Sequence, residues 1–254
     1  MVNQVVAALV IGSLLLSSAV AAESLNVAVA SNFSAAFAAI QRAFKKESDT
    51  ELLPSYASTG KLYAQIVNGA PFALFLAADV ATPAKLEQMG LAAPGRRFTY
   101  AIGHLVLWSA EPGRVDAQGE VLKQAKFKRL AIANPKSAPY GLAAQQALTR
   151  LGLWERLTAK LVQGESIAQS YQFVDSGNVE LGFISASQLP PQKGSHWLVP
   201  QALYDPLEQQ VVVMKSAQNS TAAMKFYDFL RREPARQIVV SFGYSVPLNQ
   251  AVAP

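Results

Sequence analysis

Short apolar runs, uncharged polar turns and helix-spaced segments follow one another along this chain in a repeated order that leaves few folds open to it. Residues 25–30 read as a buried strand, and Phe33, Ala36, Phe37, Ile40, Ala43 and Phe44 then recur at a period of 3.6. Ser31 or Asn32 is the natural N-cap of that helix, and Lys45-Lys46 lie in its last turn, where cations suit the dipole. A second unit runs through an extended stretch at 51–57, a Ser58-Thr59-Gly60 turn and a helix marked by Leu62, Ile66 and Val67 and stopped at Gly69. Residues 72–77 form a third strand, after which Thr82-Pro83 supply a cap and first-turn proline for a helix ending at Gly90. Residues 99–109 read as one long strand. The alternation then resumes with a strand at 130–133, a turn through Pro135 to Tyr140 and a helix up to Gly152. A turn at 163–167 opens a helix to Asp175, followed by a strand at 179–184. Residues 210–214 are again strand-like, Asn219-Ser220 cap a helix, and Pro234 starts a last one stopped by Gly243.

Repeated strand-turn-helix units predict an α/β fold with mostly parallel sheets flanked by helices. The first 22 residues carry no charged side chain and end in small residues, the pattern of a secretory signal peptide cleaved near Ala22, which leaves 254 − 22 = 232 residues. That is long for one doubly wound sheet, and no Pro/Gly/Ser-rich linker divides it. The expected architecture is two lobes joined by two crossover strands: residues 23–103 with 210–254 in lobe 1, and 104–209 in lobe 2.

The residue inventory excludes several chemistries. With no cysteine and two histidines, thiolate metal sites, disulfides and a catalytic thiol are absent, and no cofactor is expected. The net charge of +5 comes from scattered residues rather than a basic tract, which argues against nucleic-acid binding. There is no G-x-S-x-G, no phosphate-loop motif, no G-x-G-x-x-G and no H-E-x-x-H, so an exported hydrolase is the weak alternative. His104 and His196 read as structural or surface histidines, and Asp79 as a turn residue bonded to local backbone.

Four turns between strand and helix are polar and uncharged: Ser31-Asn32, Ser58-Thr59, Pro139-Tyr140 and Ser166-Ile167. Each alone is explained by helix capping. Together they point further, because ligands of open α/β sheets bind beyond the carboxyl ends of strands, where helix N-termini present free N–H groups to an anion. None of the four holds an arginine, although Lys61 and Lys136 are near in sequence, and Lys61 reads as a solvated first-turn side chain. A carboxylate ligand usually brings a bidentate arginine, so the pattern favours a compact tetrahedral oxyanion held by neutral donors.

At these residues the chain resembles the periplasmic molybdate-binding proteins of ABC uptake systems. The resemblance spans NVAVASNFSAAF, YASTGKLYAQIVNGAPFALFLAAD, ANPKSAPYGLAAQQAL with LGLWERL, ELGFISASQ and KFYDFLRREPARQIVVSFGY. It implies a two-lobed, flytrap-like protein, monomeric and periplasmic, that binds molybdate or tungstate without catalysis and delivers it to a membrane permease and its ATPase. It also implies ligand positions at Ser31 with Asn32, Thr59 beside Ser58, Tyr140 and Ile167 through their backbones, with molybdenum present only as the oxyanion and no direct protein–metal bond. Ser185 stands where many members carry a tyrosine hydroxyl, and the side chain of Asn32 or Tyr140 could compensate. Another small oxyanion, such as sulfate, or an organic anion is the alternative ligand.

Overall fold

The computed structural model describes residues 23–247; the expected signal segment lies outside them. Two five-stranded mixed sheets carry the chain. The first is built from β1 (Ser24–Ala30), β2 (Glu51–Ala57), β3 (Leu74–Leu76) and β4 (Ala92–Gly103), in the order β2-β1-β3-β10-β4, where β10 (Leu207–Met214) arrives late in the chain. The second holds β5 (Leu105–Ser109), β6 (Leu130–Ala133), β7 (Leu161–Gly164), β8 (Leu181–Ser185) and β9 (Ser195–Leu198), ordered β7-β6-β8-β5-β9. The two orders match strand for strand. In each, three strands run parallel, and the strand beside them, β10 or β5, is antiparallel to both its neighbours.

Helices α1 (Ser34–Phe44), α2 (Thr59–Val67), α3 (Ala81–Gln88), α8 (Thr221–Arg231) and α9 (Glu233–Ser241) accompany the first sheet, and α4 (Glu120–Gln124), α5 (Pro139–Arg150), α6 (Trp154–Leu157) and α7 (Ile167–Asp175) the second. Strand period explains how both faces are filled. Val27, Val29, Leu74, Leu76, Val211 and Val213 face α1 and α8 with Phe37, Phe44 and Phe226, while Ala28, Phe75 and Val212 face Leu62 and Ile66 of α2. In the second sheet Leu105, Leu107, Leu130 and Ile132 pack with Ala144 and Leu148 of α5, and Val106, Trp108 and Ala131 with Val174 of α7.

Residues 99–109 are not one strand. β4 ends at Gly103 in the first sheet, and β5 begins at Leu105 in the second, with His104 alone between them. The return passes into β10, whose Leu207 pairs with Gly103, and a bridge between Ile102 and Ser245 adds the C-terminal segment to the same crossing. Two further expectations are corrected. Gln163-Gly164 close the edge strand β7 rather than form a turn. Thr82 does not cap α3; the Asp79 carboxylate does, accepting from the Thr82 amide at 2.8 Å and from its hydroxyl at 2.9 Å. Among the described residues no helix is long and apolar enough to cross a membrane.

Candidate functional site

Parallel strands deliver their carboxyl ends, and the helix starts that follow, to one edge of a sheet. Here those edges face each other. The end of β1 leads into a 3-10 turn at Ser31–Phe33 and then α1; β2 leads through Ser58 into α2; β6 leads through residues 134–138 into α5; β7 leads through Glu165 and Ser166 into α7. All four starts meet at one small cavity, lined by Ala30, Ser31, Asn32, Ser58, Thr59, Ala78, Ala138, Pro139, Tyr140 and Ile167. It has room for little more than one water-sized sphere, far below the several hundred Å³ of drug-sized pockets, so it suits only a compact ligand. Apart from half-buried Pro139, every lining residue is at most 5% exposed, and none carries a charge.

The donors can be counted from the helix starts, because the first amides of a helix have no partner within it. Pro139 has no N–H, and the Gly141 and Leu142 amides bond Ala138, which leaves the Tyr140 N–H as the free donor of α5. In α7 the Ser166 hydroxyl caps the Gln169 amide and the Ser170 amide bonds the Ser166 carbonyl, so the Ile167 amide remains at the cavity. In α2 the cap residue is Ser58, but its side chain makes no capping bond. Its buried hydroxyl has no hydrogen-bond partner among the described residues, and neither has that of Ser137 nearby. Thr59 Oγ1 accepts from the Ala78 amide at 3.0 Å, which directs its own proton elsewhere. No side chain caps the turn at Ser31 or the start of α1, so the capping role expected of Ser31 or Asn32 is not what either performs. An uncharged, enclosed cavity with four helix N-termini and hydroxyl donors aimed into it can hold a small anion by hydrogen bonds and dipoles.

Ser185 is elsewhere. It does not line the cavity; its hydroxyl donates to the Tyr140 phenol at 2.9 Å and pairs with the Ser187 hydroxyl at 2.9 Å. The Tyr140 phenol also accepts from Gln209 Nε2 at 3.2 Å, and a Cβ on Gly103 would lie 2.0 Å from it, so the bare glycine at the end of β4 makes room for the ring. Tyr140 thus lends the cavity its backbone while its phenol sits at the strand crossing. The Asn32 side chain is committed there too, donating to Gln209 Oε1 at 2.8 Å and to the Tyr244 phenol at 3.0 Å. Tyr244 and Ser187 close the circuit by donating to the Asn32 carbonyl at 2.8 Å and 2.9 Å. Burial pushes the Tyr140 and Tyr100 phenols well above their ordinary range and Tyr244 to about 12, so all three stay protonated at neutral pH.

Sequence reasoning missed the network behind the cavity, made by Gln209, Tyr244, Ser187 and Tyr100, whose phenol donates to Gln209 Oε1 at 3.2 Å. One signal was present: Gln209 and Gln210 interrupt an otherwise apolar strand. Lys61 is not simply solvated, since its ammonium pairs with Glu165 of the other lobe at 2.9 Å. Asp79 follows the lining residue Ala78, but its carboxylate is turned to Thr82; burial raises its pKa and the Thr82 bonds partly offset this.

Known proteins resemble this chain in sequence and in fold. The profile of the bacterial extracellular solute-binding proteins matches residues 25–245. The chain is 48% identical over 240 residues to molybdate-binding protein ModA of Azotobacter vinelandii, covering 93% of this chain and 95% of that one. It is 44% identical over 225 residues to ModA of Rhodobacter capsulatus, covering 88% and 89%. The solved periplasmic molybdate-binding protein of Azotobacter vinelandii superposes with a TM-score of 0.86 at 42% identity, covering 88% of this chain and 99% of that one.

Proposed function

The chain belongs to the molybdate-binding proteins among the bacterial extracellular solute-binding proteins, and from that footing we propose that it captures molybdate, or the isosteric tungstate, in the cavity between its lobes. The observation that carries the reading is the convergence of four uncharged helix starts on one enclosed, charge-free cavity. The donors proposed are the hydroxyls of Ser31, Ser58 and Thr59 and the amides of Tyr140 and Ile167, with Asn32 and Ser185 holding the crossing behind them. The protein serves transport rather than catalysis and hands the anion to the permease and ATPase of an ABC system. The uncharged apolar segment at 1–22 supports export to the periplasm.

Selection follows from the donor set. A dianion that only accepts can take a proton from every amide and hydroxyl of the set, whereas a monoprotonated phosphate must turn a hydroxyl such as Ser58 round to accept its O–H and so lose that donor, at a cost of about 1–3 kcal/mol. Sulfate, equally aprotic but smaller, would leave oxygens short of fixed donors. A thermal-shift panel tests this: molybdate and tungstate raise the melting temperature far more than sulfate or phosphate. Equal shifts for sulfate and molybdate would refute the assignment and favour a general oxyanion carrier.

A further inference from the structure

The cavity is enclosed, so an anion enters and leaves only when the lobes part; what holds them together at its rim therefore governs affinity. On one side of the cavity that contact is made by backbone. The Gly60 amide, in the first turn of α2, donates across the cleft to the Ser137 carbonyl, between β6 and α5, at 2.8 Å. A Cβ on Gly60 would lie 2.9 Å from both the Ser137 Cα and its carbonyl oxygen, closer than real Cβ atoms come to backbone. The glycine is not needed for its conformational range: it lies within α2, and its φ is not in the left-handed region. An isolated first lobe would prefer alanine there, which forms helix more readily. Only the closed arrangement explains the missing side chain.

We infer that Gly60 is a positioning residue for anion capture: its bare Cα and its N–H form the latch that lets α2 and the 134–138 loop close on the ligand. The adjacent Lys61–Glu165 pair reinforces the same rim, with side chains 49% and 58% exposed and hence weakly. The inference rests on the anion-binding reading of the cavity, and it predicts effects of opposite sign on the free protein and on the complex.

The test compares wild type with Gly60→Ala by thermal melting without anion, and by molybdate calorimetry with stopped-flow release. The anion-free variant should melt at or above wild type, while its molybdate affinity falls at least tenfold, mainly through faster release; Lys61→Ala should cost less than about fivefold, as expected of an exposed pair. A Gly60→Ala affinity within twofold of wild type would overturn the latch. So would a variant that fails to fold or melts well below wild type without anion, because the glycine would then serve the lobe rather than its closure. Wild type itself ignoring molybdate is a separate failure, that of the anion assignment, and the same two proteins are then compared with whichever tetrahedral oxyanion of the panel stabilises wild type; if none does, both readings fall.

Discussion

Ser58 and Thr59 are neighbours whose hydroxyls face the same cavity under different obligations, and substitution separates them. Ser58 Oγ is buried without a partner, so Ser58→Ala removes a desolvated group that stabilises nothing in the anion-free protein. Its melting temperature should hold or rise, while molybdate affinity falls by about 1.5–3 kcal/mol, roughly ten- to a hundredfold, the value of a hydrogen bond to a charged ligand. Thr59→Val also strips the acceptor from the buried Ala78 amide, so the same loss of affinity should come with about 1–3 kcal/mol of lost stability. Calorimetry beside a denaturant melt distinguishes the two. Ser185 and the Tyr140 phenol bond each other at the crossing rather than the cavity. Ser185→Ala should therefore change affinity by less than about 0.5 kcal/mol, whereas a tenfold loss would place that serine on the anion, directly or through a water.

The helix start is the working element at the next scale, and its legibility in the sequence was uneven for physical reasons. β1, β6 and α7 were readable because their apolar period is unbroken and Ser, Thr and Asn mark the turns between them. β7 was not, since it is four residues long, lies at a sheet edge and has only one buried residue. The break between β4 and β5 was invisible because the apolar run continues through it: what changes at His104 is the sheet, not the hydropathy. Likewise the four polar turns that line the cavity announced themselves locally, but Gln209 and Tyr244 meet Asn32 from 177 and 212 positions away, and nothing local to them marks the encounter. The crossing carries its own pH dependence. Burial lowers the His104 pKa below its ordinary 6.5, and the ring bonds the Ser245 hydroxyl at 2.9 Å. The unfolded chain then binds the proton more readily than the folded one, so the stability from neutral His104 is complete above about pH 6.5 and is lost as pH falls toward the depressed value. His104→Gln should flatten the fall in melting temperature between pH 7 and pH 5 relative to wild type.

At the scale of the molecule, two sheets of matching strand order turn the carboxyl ends of their parallel strands toward one cavity, so its lining is divided between the lobes and complete only when they touch. Ser31 and Thr59 belong to one lobe, and Tyr140 and Ile167 to the other, so a ligand bridging all four favours the closed arrangement by its differential contacts. Small-angle scattering should therefore show a smaller radius of gyration with molybdate than without. Folding linkage sets the accompanying gain in stability at about 2.7 kcal/mol when molybdate is a hundredfold above its Kd. The central claim is more specific than either: the anion sits among neutral donors at the meeting of four helix starts. Crystals of the protein with molybdate, measured at a wavelength where molybdenum scatters anomalously, locate it directly. The account predicts one anomalous peak in the cavity, its oxygens within hydrogen-bond distance of the Ser31, Ser58 and Thr59 hydroxyls and the Tyr140 and Ile167 amides. A peak beside a lysine or arginine on the surface, with the cavity left without one, would contradict it.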